Sequence, residues 1–328
     1  MDEFGGIKII GTGSFLPDYS VSNSDFTKYI ETDNEWITTR TGISERRFHF
    51  SGDNAQMSAA AAKNALEDSG CCVDDIDFII ASTATPDYFY PSLSCLTANA
   101  LGCENVGCLD VNAACTGFIN ALDVARAYLA TGTYKRILVT ASEKLSSQVD
   151  FNERSTAVLF GDGAGAVVVE KSDGLYSSYI GSTPEGEKEQ ALYCRVKYEP
   201  NYKFVGDVAK GTAPRLIMDG KTVYKFAVEA LQNAATKAAN KLSMSVSEFD
   251  VVIPHQANIR IIKSAIKALG IPPEKVYSHI SKRANTSSAC IPTCLDELKK
   301  AGKLERGMKI CAVAFGAGLT FGSICFTY

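Results

Sequence analysis

Short unbroken apolar runs alternate along the chain with longer stretches whose apolar positions recur at helical spacing. Phe78-Ile79-Ile80-Ala81, Ala166-Val167-Val168-Val169 and Val251-Val252-Ile253 are continuous apolar runs too short for helices. They predict strands buried on both faces. Residues 58–69 and 227–242 are Ala-rich with helical periodicity, and Phe118, Ile119, Leu122, Ala125 and Leu129 share one helical face. Buried strands alternating with helices predict an α/β protein whose mostly parallel sheets are covered by helices.

The pattern occurs twice. An Ala-rich helix runs into Asp74-Asp75-Ile76-Asp77 and a strand, and a second runs into Ser247-Glu248-Phe249-Asp250 and a strand. Asp77 and Asp250 are 173 residues apart, and so are Leu122 in Ala121-Leu122-Asp123 and Leu295 in Cys294-Leu295-Asp296. Lys135-Arg136-Ile137-Leu138-Val139 parallels Met308-Lys309-Ile310-Cys311-Ala312, and Leu101-Gly102 has a counterpart in Leu269-Gly270. Repeated matches at one offset predict a duplication, with halves 1–173 and 174–328.

Composition narrows the function. Of 328 residues, 46% are hydrophobic and 21% charged, the balance of a globular protein with a real core. A net charge of −4 excludes a broad basic field for nucleic acid, although a local basic patch for an acidic partner fits. The start, Met1-Asp2-Glu3-Phe4, does not resemble a signal peptide, and no apolar stretch reaches the ~20 residues of a membrane span. The expected setting is therefore cytoplasmic, with the eleven Cys as free thiols. Cys290 and Cys294 are spaced one residue too far apart for a CxxC pair, and no metal site is expected.

Three residues stand where chemistry gathers in such sheets, at strand ends and helix starts. Cys115, in Asn112-Ala113-Ala114-Cys115-Thr116-Gly117, precedes the helix beginning near Phe118. The positive end of that helix would favour a thiolate, and the small neighbours leave room for a substrate. His255 directly follows the buried strand Val251-Val252-Ile253, with a helix opening near Asn258. His49 and His279, the latter in a strand-like stretch, read as structural or surface residues. Asn285 lies 173 residues after Asn112, so the repeat turns it toward Cys115 from the other half. Gly161-Asp162-Gly163-Ala164-Gly165 runs into a strand rather than a helix, which argues against a phosphate loop. Phe315-Gly316-Ala317-Gly318 ends a strand in a turn whose amides could face an oxyanion.

Cys115, His255 and Asn285, in this order and context, resemble the β-ketoacyl-acyl-carrier-protein synthase III family. The likeness extends through Ile10-Gly11-Thr12-Gly13, Asp33-Asn34-Glu35-Trp36-Ile37-Thr38-Thr39-Arg40, Phe160-Gly161-Asp162-Gly163, His255-Gln256-Ala257-Asn258, Asn285-Thr286-Ser287-Ser288 and Phe315-Gly316-Ala317-Gly318. It implies a duplicated thiolase fold, five-layer αβαβα, with two mixed sheets related by a pseudo-twofold axis. It implies an acyltransferase of fatty acid biosynthesis that takes acyl-coenzyme A and malonyl-acyl carrier protein, uses no cofactor and forms a homodimer. Under that resemblance Cys115 accepts the acyl group, and His255 and Asn285 handle decarboxylation. The Cys115, Ala317 and Gly318 amides form the oxyanion hole. Trp36, Arg40, Arg154 and Asn258 bind coenzyme A, and Tyr90 shapes the primer pocket across the dimer. Lys225 and Arg260 dock the carrier protein.

The chain departs from the family at Ala284, where glycine is usual, and at Lys221, Ala317 and Phe321. The stretch 183–213 carries little of the family pattern. A cysteine hydrolase, a noncatalytic partner subunit and a condensing enzyme of a polyketide or quinolone pathway are the rival readings.

Overall fold

The computed structural model describes residues 5–183, 191–195 and 215–328. Of the stretch 183–213, residues 184–190 and 196–213 therefore lie outside the described residues. The first half contains β1 (Gly6–Phe15), β2 (Tyr19–Ser22), α1 (Asn23–Phe26), α2 (Asn34–Thr41), β3 (Glu45–Phe48), α3 (Asn54–Ser69), β4 (Phe78–Ser82) and α4 (Leu93–Leu101). It continues through β5 (Gly107–Val111), α5 (Gly117–Ala130), β6 (Arg136–Lys144), α6 (Arg154–Ala157) and β7 (Asp162–Ser172). The second half contains β8 (Tyr176–Ser182), β9 (Leu192–Arg195), β10 (Arg215–Met218), α7 (Gly220–Asn240), β11 (Val251–Pro254) and α8 (Ile259–Leu269). It ends with α9 (Ile280–Arg283), α10 (Cys290–Lys300), β12 (Lys309–Gly316) and β13 (Thr320–Thr327).

The first sheet runs β1-β7-β6-β4-β5 and the second β8-β13-β12-β11, extended by a parallel bridge between Val252 and Val276. Both sheets are mixed: β4 pairs parallel with β5 and β6, while β7 runs antiparallel to its neighbours. In the second sheet β11 and β12 are parallel, and β13 is antiparallel to β12 and β8. Helices α3 and α4 cover the outer face of the first sheet, and α7 and α8 that of the second. Helices α5 and α10 lie between the sheets. This is the αβαβα layering of the duplicated thiolase fold.

The apolar runs account for the layers. Phe118 and Leu122 of α5, Ile291 and Leu295 of α10, and Ile80 and Ile253 of the sheets fill the central core almost without exposure. Each such side chain contributes about 1.5–3 kcal/mol on burial. The offset of 173 recurs in detail. Asp77 accepts from the Lys135 and Arg136 amides, and Asp250 accepts from the Lys309 amide, each carboxylate stitching one parallel strand to the next. Gly11 and Gly13 serve packing, because a Cβ on either would lie 2.3 Å from a carbonyl oxygen of α3.

Helix α3 begins at Asn54 and α7 at Gly220, both earlier than their Ala-rich cores predict. A capping box between Asp53 and Gln56 opens α3, and the Asp219 carboxylate opens α7 by accepting from the Lys221 and Thr222 amides. His279 stands at the N-terminus of α9 and not in a strand, with its Nδ1 2.8 Å from Glu297. No helix among the described residues is long and apolar enough to cross a membrane.

Candidate active site

Strand β5 delivers the chain to Asn112 and Ala113, and a 3-10 turn over Ala114–Thr116 carries Cys115 into the start of α5. Ala114 bends the chain sharply at φ 46°, and its counterpart at offset 173, Ser287, does the same at φ 50°. At Gly117 a Cβ would lie 2.0 Å from the Ser82 hydroxyl, so only glycine lets α5 seat there. The turn after β12 closes over the same place. A Cβ on Gly316 would lie 2.8 Å from the Cys115 amide nitrogen, and Gly318 takes φ 127°. The Thr320 hydroxyl donates to the Ala317 carbonyl and lies 3.1 Å from the Thr116 hydroxyl, tying that turn to the Cys115 turn.

The expectation of a Cys115 thiolate is corrected by the structure. Regular helix begins two residues later, at Gly117, and Cys115 is only 8% exposed. Burial pushes its thiol up to about 12; the Ser287 hydroxyl beside it pulls the other way, and the Glu143 carboxylate reinforces the rise.

His255 follows β11 with its amide bonded to the Val313 carbonyl at 2.8 Å. It is 1% exposed, and burial holds its imidazole down to about 3, so the ring is neutral. Its Nδ1 lies 3.0 Å from Cys290 Sγ, and its ring meets Phe315 edge to face at 5.4 Å. Asn285 is held by its backbone between the Leu159 carbonyl and the Gly161 amide, each at 3.0 Å. Its Oδ1 accepts from the Ser287 amide at 2.8 Å, which leaves the NH2 end of the amide for donation. Asn112 makes the matching turn to Ala114, at 3.4 Å.

Two cavities meet at Cys115. One, with about 590 Å³ of empty volume, is bordered by Cys115, His255, Asn285 and Phe315 and reaches outward past Val223 and Tyr224 of α7. The other, about 670 Å³, lies on the far side of Cys115 against Leu192, Leu216 and Ala317. Cys115, Phe160 and Leu192 border both. The structure thus brings the three sequence candidates to one junction.

Two neighbours escaped the sequence reading. Glu143 is fully buried, and its carboxylate accepts from the Ser287, Ser288 and Thr85 hydroxyls and the Ala84 amide. Burial pushes its carboxyl up against those bonds. Glu143 precedes Gly316 by 173 residues, so the repeat held the signal that places it at a strand end by the site. Cys290, the first residue of α10, was passed over as one thiol among eleven.

Of the outer candidates, Asn258 alone borders the first cavity. Arg154 lies over Trp36, its guanidinium 4.5 Å from the ring centroid, and donates to the Glu31 carbonyl. Asn258 borders the cavity, but both its polar atoms are engaged: Oδ1 caps α8 at the Arg260 amide and Nδ2 donates to the Arg40 carbonyl. Arg40, Lys225 and Arg260 are exposed on α2, α7 and α8. Tyr90 is 87% exposed beside Tyr88 and Phe89 and borders neither cavity of this single chain. Lys221 sits exposed in the first turn of α7, and Phe321 packs its ring over Gly181 and against Tyr179.

Residues 109–184 match the model of 3-oxoacyl-[acyl-carrier-protein (ACP)] synthase III, and residues 239–328 match that of its C-terminal part. The β-ketoacyl-[acyl-carrier-protein] synthase III of Clostridium acetobutylicum is 42% identical over 321 residues, 97% of each chain. The crystal structure of 3-oxoacyl-[acyl-carrier-protein] synthase III from Aquifex aeolicus superposes with a TM-score of 0.90 at 40% identity, covering 98% of this chain and 100% of that one. The priming β-ketosynthase of the R1128 polyketide biosynthetic pathway also gives 0.90, at 35% identity over 98% and 96% of the two chains.

Proposed function

The chain belongs to the β-ketoacyl-[acyl-carrier-protein] synthase III family, and from that premise we propose that it condenses an acyl-coenzyme A primer with malonyl-acyl carrier protein through an acyl-Cys115 intermediate. The observation that carries this reading is the meeting of two cavities at Cys115, with His255 and Asn285 on the outer one. A primer needs a pocket beyond the sulfur, and an incoming thioester needs a channel in front of it.

In the first half-reaction the Cys115 sulfur attacks the primer thioester. The C–S bond to coenzyme A breaks, and the thiol proton leaves with coenzyme A. Because the resting thiol is neutral, the oxyanion must be well held; the Cys115 amide and the turn through Ala317 and Gly318 are the proposed donors. One such donor contributes about 3 kcal/mol. In the second, malonyl-acyl carrier protein loses carbon dioxide and leaves an enolate on its thioester oxygen. Neutral His255 and the Asn285 NH2 donate to that oxygen. The α-carbon then attacks acyl-Cys115, and the sulfur departs as thiolate and takes up one proton from water to restore the resting thiol. Carbon dioxide, coenzyme A and the β-ketoacyl thioester balance the equation, so these steps call on no redox cofactor.

Around this centre, Trp36, Arg154 and Arg40 would hold coenzyme A, with the Asn258 cap shaping the mouth. Exposed Lys225 and Arg260 give the acidic carrier protein a basic landing. Tyr90 would complete the primer pocket of a second copy, making a homodimer the working form. The half 1–173 supplies the nucleophile and the half 174–328 the two donors. A polyketide starter pathway is the second reading, favoured by the R1128 neighbour. Reconstitution with acyl-coenzyme A and malonyl-acyl carrier protein tests the proposal. Wild type should release one carbon dioxide per β-ketoacyl product, whereas His255→Ala should still become acylated but make no product. Loss of acylation in that variant would instead make His255 the base for the thiol.

A further inference from the structure

Cys290 is the feature of the site that the mechanism leaves unused. Its Sγ lies 3.0 Å from Nδ1 of His255, and both residues are buried, Cys290 completely. A neutral imidazole carries one proton, on one nitrogen, and the partner of the other nitrogen decides which. The Gln256 amide already donates to Cys290 Sγ, at 3.5 Å, and takes up one of the sulfur's two lone pairs. The thiol also carries a proton of its own, and Nδ1, 3.0 Å away, is an acceptor within its reach.

We propose that Cys290 is a positioning residue for decarboxylation, its S–H donating to Nδ1 of His255 and thereby keeping the proton of the neutral ring on Nε2. The consequence rests on the condensing reading above. With the proton on Nε2, the ring presents a donor to the enolate oxygen. With it on Nδ1, the bond to sulfur would reverse, and a bare lone pair would face a developing negative charge. Burial supports the assignment by pushing the Cys290 thiol well above its ordinary range, so it stays protonated and remains a donor. The position is particular to the second half: its counterpart at offset 173 is Gly117, which has no side chain.

The test uses the full chain labelled with 15N-histidine, the tautomer of His255 being read from its ring nitrogen shifts. Wild type and Cys290→Ser, which keeps a donor, should show the proton on Nε2. Cys290→Ala and the near-isosteric Cys290→Val lack the donor and should show a mixed or Nδ1–H ring. Decarboxylation of malonyl-acyl carrier protein should fall on the order of 100-fold in these two variants and recover in Cys290→Ser. Cys115 acylation should change by less than about threefold, since it does not draw on the Nε2 proton. A merely structural role would lower both activities together and leave the tautomer untouched. The proposal is overturned by an Nδ1–H ring in wild type, by an unchanged ring in both donor-free variants, or by an altered ring with undiminished decarboxylation. Failure of wild type to acylate Cys115 at all would sink the condensing reading, while the spectra would still decide the tautomer.

Discussion

With Cys115 pushed up to about 12 and His255 pushed down to about 3, both by burial, the resting pair is uncharged at neutral pH. The two half-reactions should therefore answer differently to pH. Acylation depends on the thiolate fraction and should rise about tenfold per pH unit between about pH 6 and 9. Decarboxylation uses a ring already neutral and should stay flat down to about pH 5. Stopped-flow profiles of each half-reaction check this; an acylation plateau below about pH 8 would mean a lowered thiol. Stability carries the same sign. Below about pH 6.5 the unfolded chain takes up a proton that folded His255 refuses until about 3, so acid erodes the fold through that window. Ala284 supplies a second residue-level prediction. It is fully buried at φ 56°, ψ −158°, a region that all but requires glycine. Ala284→Gly should raise stability by about 1 kcal/mol in denaturant melts; a drop would mean that its methyl packs usefully. The convergence of Cys115, His255 and Asn285 on one cavity was legible because each sits at a strand end or repeat-related turn. The ionisation of Cys115 was not: helix position is visible in sequence, whereas desolvation by both halves is a property of the packed site.

Elements were read best where apolar periodicity is strong. The buried strands Phe78–Ser82 and Val251–Pro254 and helix α5 follow their runs closely. Helix starts were read late, because capping depends on polar side chains such as Asp53 and Asp219 that leave no trace in hydrophobic spacing. The His279 segment looked extended in sequence, but its contact with Glu297 belongs to the start of α9. The Asp219 cap is functionally placed, since Gly220 and Val223 of the helix it opens border the outer cavity. Asp219→Ala should cost about 1 kcal/mol of stability. It should also raise KM for acyl-coenzyme A with little change in kcat; an unchanged KM would detach the cap from the cavity mouth.

At the scale of the molecule, the duplication explains why chemistry from two distant segments converges. Paired turns at Ala114 and Ser287, and the paired Asp77 and Asp250 stitches, give the halves the same strand ends and bring those ends together. The sequence repeat was enough to read the duplication, whereas the apolar runs alone implied mostly parallel sheets and the mixed pairing came only with the family resemblance. The two-sided cavity was not legible, because its far wall comes from Leu192 and Leu216 on the short pair β9 and β10, the counterpart of β2 and β3, and the matches read in the sequence begin only after those strands. The exposed aromatic cluster of Tyr88, Phe89 and Tyr90 belongs to the same scale. If a second copy covers it, Tyr90→Asp should shift the mass measured by light scattering from two chains toward one and narrow primer use. A wild type already monomeric would remove Tyr90 from the primer pocket.

The central claim is that the acyl group rides on one sulfur, at the junction of two cavities. The most direct measurement incubates the protein with acyl-coenzyme A alone, digests it and maps the added mass over all eleven Cys. The account predicts stoichiometric modification of the peptide carrying Cys115 and none in Cys115→Ala. Acylation at another thiol, or no covalent adduct at all, would contradict it.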